Sequence, residues 1–200
     1  MKQQILDTAT EMFLTLGFKS VTMDDIAAEM AISKKTIYQH YATKPALIEA
    51  VTVKLFTDIS NGFDEIAGME KNAIEELYMV KDYMVNQLRN ESTSPIYQLQ
   101  KYFPKVFKIL KSKQFNKIHS CVIANINKGL REGLYRESLD VQFVTRIFFV
   151  GGSAIKDNDI FPTSEFKNEH LANKFLDYHI RAIASPKGLK VLESYLTNNN

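Results

Sequence analysis

The sequence predicts an all-α chain on three observations. Eight glycines and five prolines are sparse punctuation for 200 residues. The apolar residues between them recur about every 3.6 positions and do not alternate. Thr22, Ser33 and Thr43, whose side chains can accept from free helix amides, each stand just ahead of such a segment. Over residues 2–16, Ile5, Ala9, Met12, Phe13 and Leu16 form one stripe, and Gly17 ends the helix as a residue free to take positive φ. Thr22 caps a short second helix over 23–30, with Asp24 and Asp25 at its positive end. Ser33 caps a third over 34–40, and Thr43 a fourth that runs to about 60 with Pro45 in its first turn. Longer helices are expected at 70–90, 95–112, 114–135, 140–155, 168–184 and 187–197, Pro95 and Pro186 opening two of them and Pro104 kinking another. The stretch 156–166, with Asp157, Asn158, Asp159 and Pro162, reads as the main loop.

Composition narrows the function. Lys plus Arg number 25 against 23 Asp plus Glu, and 45% of residues are hydrophobic, which excludes a disordered tail and binding to polyanions by bulk charge. A single cysteine, Cys121, excludes a disulfide framework and a four-cysteine zinc site and fits a reducing compartment. The polar start of the chain is unlike a signal peptide, and the stretch 147–155 is far short of the roughly 20 apolar residues that span a bilayer. A cytoplasmic protein without membrane association is therefore expected. No nucleophile elbow, His-Glu-x-x-His run or glycine-rich phosphate loop is present, so neither catalysis nor a cofactor is expected. Asp24, Asp25 and Glu29 read as charges complementing a helix dipole and not as metal ligands.

The strongest pattern lies near the N-terminus. Two short helices joined by a tight turn, the second capped and rich in Lys, Thr, Tyr, Gln and His, have the layout of a helix-turn-helix that enters a DNA major groove. Charge agrees locally: Lys34, Lys35, Lys44 and His40 fall between Met30 and Ile48 with no acid among them. Ile37 points to the core and leaves Lys34, Lys35, Thr36, Tyr38, Gln39 and His40 for solvent or DNA. Gln can pair bidentately with adenine, Lys can reach guanine, and hydroxyls serve phosphates or the thymine edge. Lys44 follows the Thr43 cap at a helix N-terminus whose free amides suit a phosphate.

The run from Phe13 to Leu47 resembles the DNA-binding domain of the tetracycline-repressor (TetR) family without a gap. Gly17-Phe18, Val21-Thr22, Asp25-Ile26-Ala27, Ile32-Ser33-Lys34, Thr36-Ile37-Tyr38, His40-Tyr41 and Lys44-Pro45-Ala46-Leu47 carry the likeness. The resemblance implies a homodimeric helical regulator, usually a repressor, that binds a palindromic double-stranded DNA operator and is released when its C-terminal domain takes a small-molecule effector. Residues 1–46 are expected to form the DNA-binding domain and 47–200 the effector-binding and dimerisation domain. In that reading Thr22, Ser33, Lys34, Lys35, Thr36, Tyr38, Gln39, His40 and Lys44 form the DNA-binding set. Two departures stand out. Ala31 replaces the glycine usual in the turn, where its Cβ makes positive φ costly, and Lys35 replaces a small residue. The sequence Phe175 to Arg181, followed by Pro186-Lys187-Gly188, also looks like members of the family.

Further sites are less sharply drawn. Tyr78, Tyr83, Tyr97, Tyr102, Phe103, Phe107, His119 and Asn125 could line an effector pocket, although such aromatic stripes equally describe plain core. By the resemblance, Phe143, Ile147, Phe148, Gly151, Leu171, Phe175, His179 and Ile183 belong to a dimer-forming helix pair. From Ser92 to Arg131 there is no acid, while Lys101, Lys105, Lys108, Lys111, Lys113, Lys117, Lys128 and Arg131 are basic. That stretch reads as a solvated face or as a surface for an anionic effector or acidic partner. The competing reading of the whole chain is a helical ligand carrier or protein-interaction module that has lost operator recognition.

Overall fold

The computed structural model describes residues 1–88, 95–162 and 164–199. Among these residues it contains ten helices: α1 Lys2–Leu16, α2 Met23–Glu29, α3 Lys34–His40, α4 Lys44–Ala67, α5 Ala73–Leu88, α6 Pro95–Tyr102, α7 Pro104–Arg131, α8 Val141–Ala154, α9 Asn168–Ile183 and α10 Pro186–Asn199. The expected kink at Pro104 and break near 113 are replaced by one break at Phe103. Proline lacks an amide proton and keeps the residue before it out of helical geometry, so Pro104 opens α7 and does not bend a longer helix. Helix α4 continues past residue 60 because Phe63 and Ile66 extend its buried stripe. The expected end of α5 at residue 90 lies outside the described residues.

The chain divides into two compact units, Met1–Ile59 with Leu88–Gln114, and Ser60–Gln87 with Phe115–Asn200. In the first, Ile5, Phe13, Phe18, Ile26, Ile37, Leu47 and Ile48 form a core that Leu99, Val106 and Leu110 of α6 and α7 join. The unit that holds residues 1–46 thus also takes in residues from the middle of the chain.

The second unit is built on Ile74, Leu77, Tyr135, Leu176, Ile180 and Leu192. A polar network crosses it: Asn125 Nδ2 donates to the Ala73 carbonyl and to Glu76 Oε1, both at 2.9 Å, and Asn125 Oδ1 accepts from the Tyr135 hydroxyl at 3.0 Å. Lys128 Nζ donates to Glu76 Oε2 at 2.7 Å. Both polar atoms of the Asn125 amide therefore have partners inside the protein. The Tyr135 ring occupies the space a Cβ would fill at Gly129, so only glycine admits it.

Helices α8 and α9 meet through aromatic rings. His179 lies 4.7 Å from Phe148 and 6.2 Å from Phe175, centroid to centroid, and Phe175 packs over Gly151. The His179 Nε2 atom is buried with no hydrogen-bond partner among the described residues. Burial disfavours the imidazolium and holds its pKa down at about 4. Between the ordinary value near 6.5 and about 4, the unfolded chain takes up a proton that the folded chain refuses, so stability falls as pH falls through that window. At fixed protein concentration, His179→Leu should lose less stability than the unaltered chain between pH 7 and pH 5, by about 2 kcal/mol in urea unfolding.

Candidate nucleic-acid interface

Helix α1 supports the motif through Ile5, Ala9 and Phe13, the last stacked on Phe18 at 5.2 Å. Gly17 takes φ 92°, which turns the chain towards α2. Thr22 and Asp25 then form a reciprocal cap. The Thr22 amide donates to Asp25 Oδ2 at 2.7 Å, and the Asp25 amide donates to Thr22 Oγ1 at 3.2 Å. The backbone hydrogen bond from Thr22, reinforced by its hydroxyl, holds the Asp25 carboxyl below the usual carboxylate range. Asp24 pairs with Lys34 at 2.7 Å.

The turn between α2 and α3 closes by two backbone hydrogen bonds, Ile32 N–H to the Ala27 carbonyl and Ala31 N–H to that of Ala28, each 3.0 Å. This is a Schellman arrangement, and it places Ala31 at the position normally given to glycine, with φ 51°. Geometry thus overrides residue preference here. Ser33 Oγ accepts from the Thr36 amide at 3.1 Å and shares a hydrogen bond with the Thr36 hydroxyl at 2.8 Å, so α3 starts where the sequence indicated. Ile37 is fully buried, while Lys34, Lys35, Tyr38, Gln39 and His40 are exposed on the same short helix and Thr36 is half-buried. Thr43 Oγ1 accepts from the Ala46 amide at 3.2 Å and caps α4.

Lys44 is the least free of the candidate DNA residues. Its Nζ donates to the Lys19 carbonyl at 3.1 Å and lies 5.8 Å from the Phe103 ring centroid. Burial pushes its pKa down, and Asp25 partly counters this. The ammonium therefore braces the loop before α2 as well as standing at the start of α4.

The eight residues considered for an effector pocket divide between the units. Tyr97, Tyr102, Phe103 and Phe107 lie in the helix-turn-helix unit, because the opposite face of α6 and of the start of α7 is buried in its core. Tyr97 and Tyr102 are exposed. Tyr78, Tyr83, His119 and Asn125 lie in the second unit. There Tyr78 stacks on Tyr195 at 4.5 Å, Tyr83 meets Phe63 edge-on at 6.1 Å, and His119 rests 5.4 Å from Phe115. The Tyr78 hydroxyl and His119 Nε2 are buried without hydrogen-bond partners among the described residues. Residues Met79, Val191 and Tyr195, absent from the sequence-based set, line a groove of 380 Å³ between α5 and α10.

The candidate dimer residues also separate. Leu171, His179 and Ile183 face the protomer's own interior, and Phe148 and Phe175 are partly buried beside them. The surface of these three is thus covered within the protomer itself. Phe143 and Ile147 remain exposed, joined by Val150 one turn on and by Tyr178 of α9 at 73% exposure. The spacing 143, 147, 150 marks one helix face and could have been read from the sequence.

Residues 5–51 match the model of bacterial regulatory proteins of the tetR family. The chain is 20% identical over 194 residues to the HTH-type transcriptional repressor KstR2 of Rhodococcus jostii, covering 92% of each chain. It is 33% identical over 87 residues to the HTH-type transcriptional regulator UidR of Escherichia coli, which spans 44% of this chain and 40% of that one. The crystal structure of a transcriptional regulator from Cytophaga hutchinsonii superposes with a TM-score of 0.74 at 18% identity, over 92% of this chain and 98% of the other, which shows a shared fold.

The strained turn is open to direct measurement. A left-handed conformation costs a residue with a Cβ about 1 kcal/mol, so Ala31→Gly should raise unfolding stability by about that amount in urea titration. An unchanged or lower midpoint would mean the turn does not hold Ala31 at positive φ.

Proposed function

We propose that this chain, whose residues 5–51 match the model of bacterial regulatory proteins of the tetR family, is a cytoplasmic TetR-type repressor that binds a palindromic operator as a homodimer and releases it when a small molecule occupies the C-terminal domain. The observation that carries this reading is the exposed face of α3, where Lys34, Lys35, Tyr38, Gln39 and His40 project from a helix anchored by buried Ile37. Thr22, Ser33, Thr36 and Lys44 complete the DNA-facing set, with hydroxyls and the α4 amides serving phosphates. Among the described residues no helix is long and apolar enough to cross a membrane.

Dimerisation through α8 and α9 is supported by Phe143, Ile147, Val150 and Tyr178, an exposed apolar face on the helix pair that the resemblance assigns to this role. Two-fold symmetry then sets two α3 helices about one DNA turn apart. Effector binding shifts the dimer towards a geometry that no longer spans the two half-sites, so release follows from differential affinity between two states. The turn at Ala31 keeps its left-handed geometry, which supports operator recognition over the carrier reading.

Selection of bound duplexes from a random DNA pool tests this reading, and an enriched palindrome is the expected result. No enrichment by a folded dimer would overturn it. Asp24→Asn frees Lys34 and removes an acid beside the DNA-facing surface, so operator affinity should rise about threefold in fluorescence anisotropy, as expected from an exposed ion pair worth well under 1 kcal/mol. Phe143→Glu with Ile147→Glu should yield a monomer in sedimentation analysis with much weakened operator binding; a stable dimer would place the interface elsewhere.

A further inference from the structure

The basic stretch that begins after Pro95 acquires a specific setting in the first compact unit. Lys19 Nζ stands 4.8 Å from the Tyr102 ring centroid and Lys101 Nζ 5.5 Å from the same ring. Lys101 also lies 5.4 Å from the Tyr97 ring and donates to the Tyr97 hydroxyl at 3.1 Å. The arrangement is held from both sides. The Lys19 amide donates to Gln98 Oε1 at 3.2 Å, and the Gln98 side chain lies against Gly17. The next residue, Leu99, is buried in the helix-turn-helix core. On the other side the Lys19 carbonyl accepts from Lys44, which stands at the start of α4.

Lys44 is thus tied to the Lys19 backbone, and the Lys19 and Lys101 ammonium groups share the Tyr102 ring, which links the start of α4 to α6. Among the described residues neither Lys19 nor Lys101 is in a salt bridge. Asp25, the acid that acts on Lys44, is held in the cap of α2. Two cations share one aromatic ring, and both tyrosines leave substantial surface in solvent, 57% for Tyr97 and 38% for Tyr102. Like charges so placed repel each other until an anion lies against them. A sugar-phosphate backbone supplies both halves of the match: phosphates for the ammonium and hydroxyl groups, and sugar carbon for the ring edges.

We infer that Lys19, Lys101, Tyr97 and Tyr102 form a second DNA-backbone contact, extending the operator footprint from the helix-turn-helix onto α6. This rests on the proposed DNA-binding function and assigns it a surface outside residues 1–46. The contact adds affinity without sequence preference, because phosphates carry no base information.

The test measures operator and scrambled-duplex affinity across a salt series for the full-length protein and for Lys19→Ala/Lys101→Ala. The double variant should flatten the slope of log affinity against log salt by about two units and weaken both duplexes about tenfold, leaving their ratio unchanged. Lys19→Arg/Lys101→Arg should restore the slope. Gln39→Ala should do the reverse, lowering the ratio while keeping the slope. A double variant with matching circular dichroism, intact operator binding and an unchanged slope overturns the inference and leaves the function standing. Loss of the operator-to-scrambled ratio in the double variant also overturns it, by assigning these lysines to positioning α3. Failure of the unaltered protein to retain any duplex overturns the DNA-binding function and the inference together.

Discussion

The burial of Ile37 is the contact on which the DNA-facing surface depends. Helix α3 has seven residues, far fewer than the about 12 that an isolated helix needs even to be marginal in water. It exists because Ile37 is fully enclosed by the core around Phe13, Ile26 and Leu47, and because Ser33 satisfies a free amide at its start. With Ile37 pinned inward, Lys35 and Gln39, two residues to either side, are turned to the opposite face. The exposed chemistry of α3 is thus a consequence of a single inward residue.

The same core explains why α6 and the start of α7 belong with the helix-turn-helix. Leu99, Val106 and Leu110 supply apolar surface that three short helices lack. Packing their buried face fixes the opposite one, and that opposite face carries Lys101, Tyr97 and Tyr102. Electrostatics within the unit follow the same logic: Asp25 is consumed by a cap, Asp24 by Lys34, and the basic groups along α6 are left without carboxylate partners among the described residues. In the second unit, the buried Asn125 amide is hydrogen-bonded at both its nitrogen and its oxygen, which gives α5 and α7 one register.

Sequence reasoning succeeded wherever the cause is local. The caps at Thr22, Ser33 and Thr43, the positive φ at Gly17 and the inward Ile37 each depend on residues within one or two turns, so spacing and side-chain type suffice. It erred at Pro104, where breaking and kinking are both local options and packing chooses between them. The resemblance assigned Leu171, His179 and Ile183 to a dimer-forming pair, and the structure buries them within the protomer; an apolar residue on an amphipathic helix does not reveal whether its own core or a second copy covers it.

The amino-acid order alone determined the all-helical class and the helix-turn-helix with its boundaries, because periodicity and capping act over a few residues, and it carried the match of residues 5–51 to the tetR-family model. Tertiary structure decided that Ala31 keeps the left-handed turn, that Asn125 serves an internal network, and that Lys19 and Lys101 share the Tyr102 ring. Those three outcomes bring together residues far apart in the chain or set backbone geometry against side-chain preference. Only the summed burial of a packed core settles such competitions.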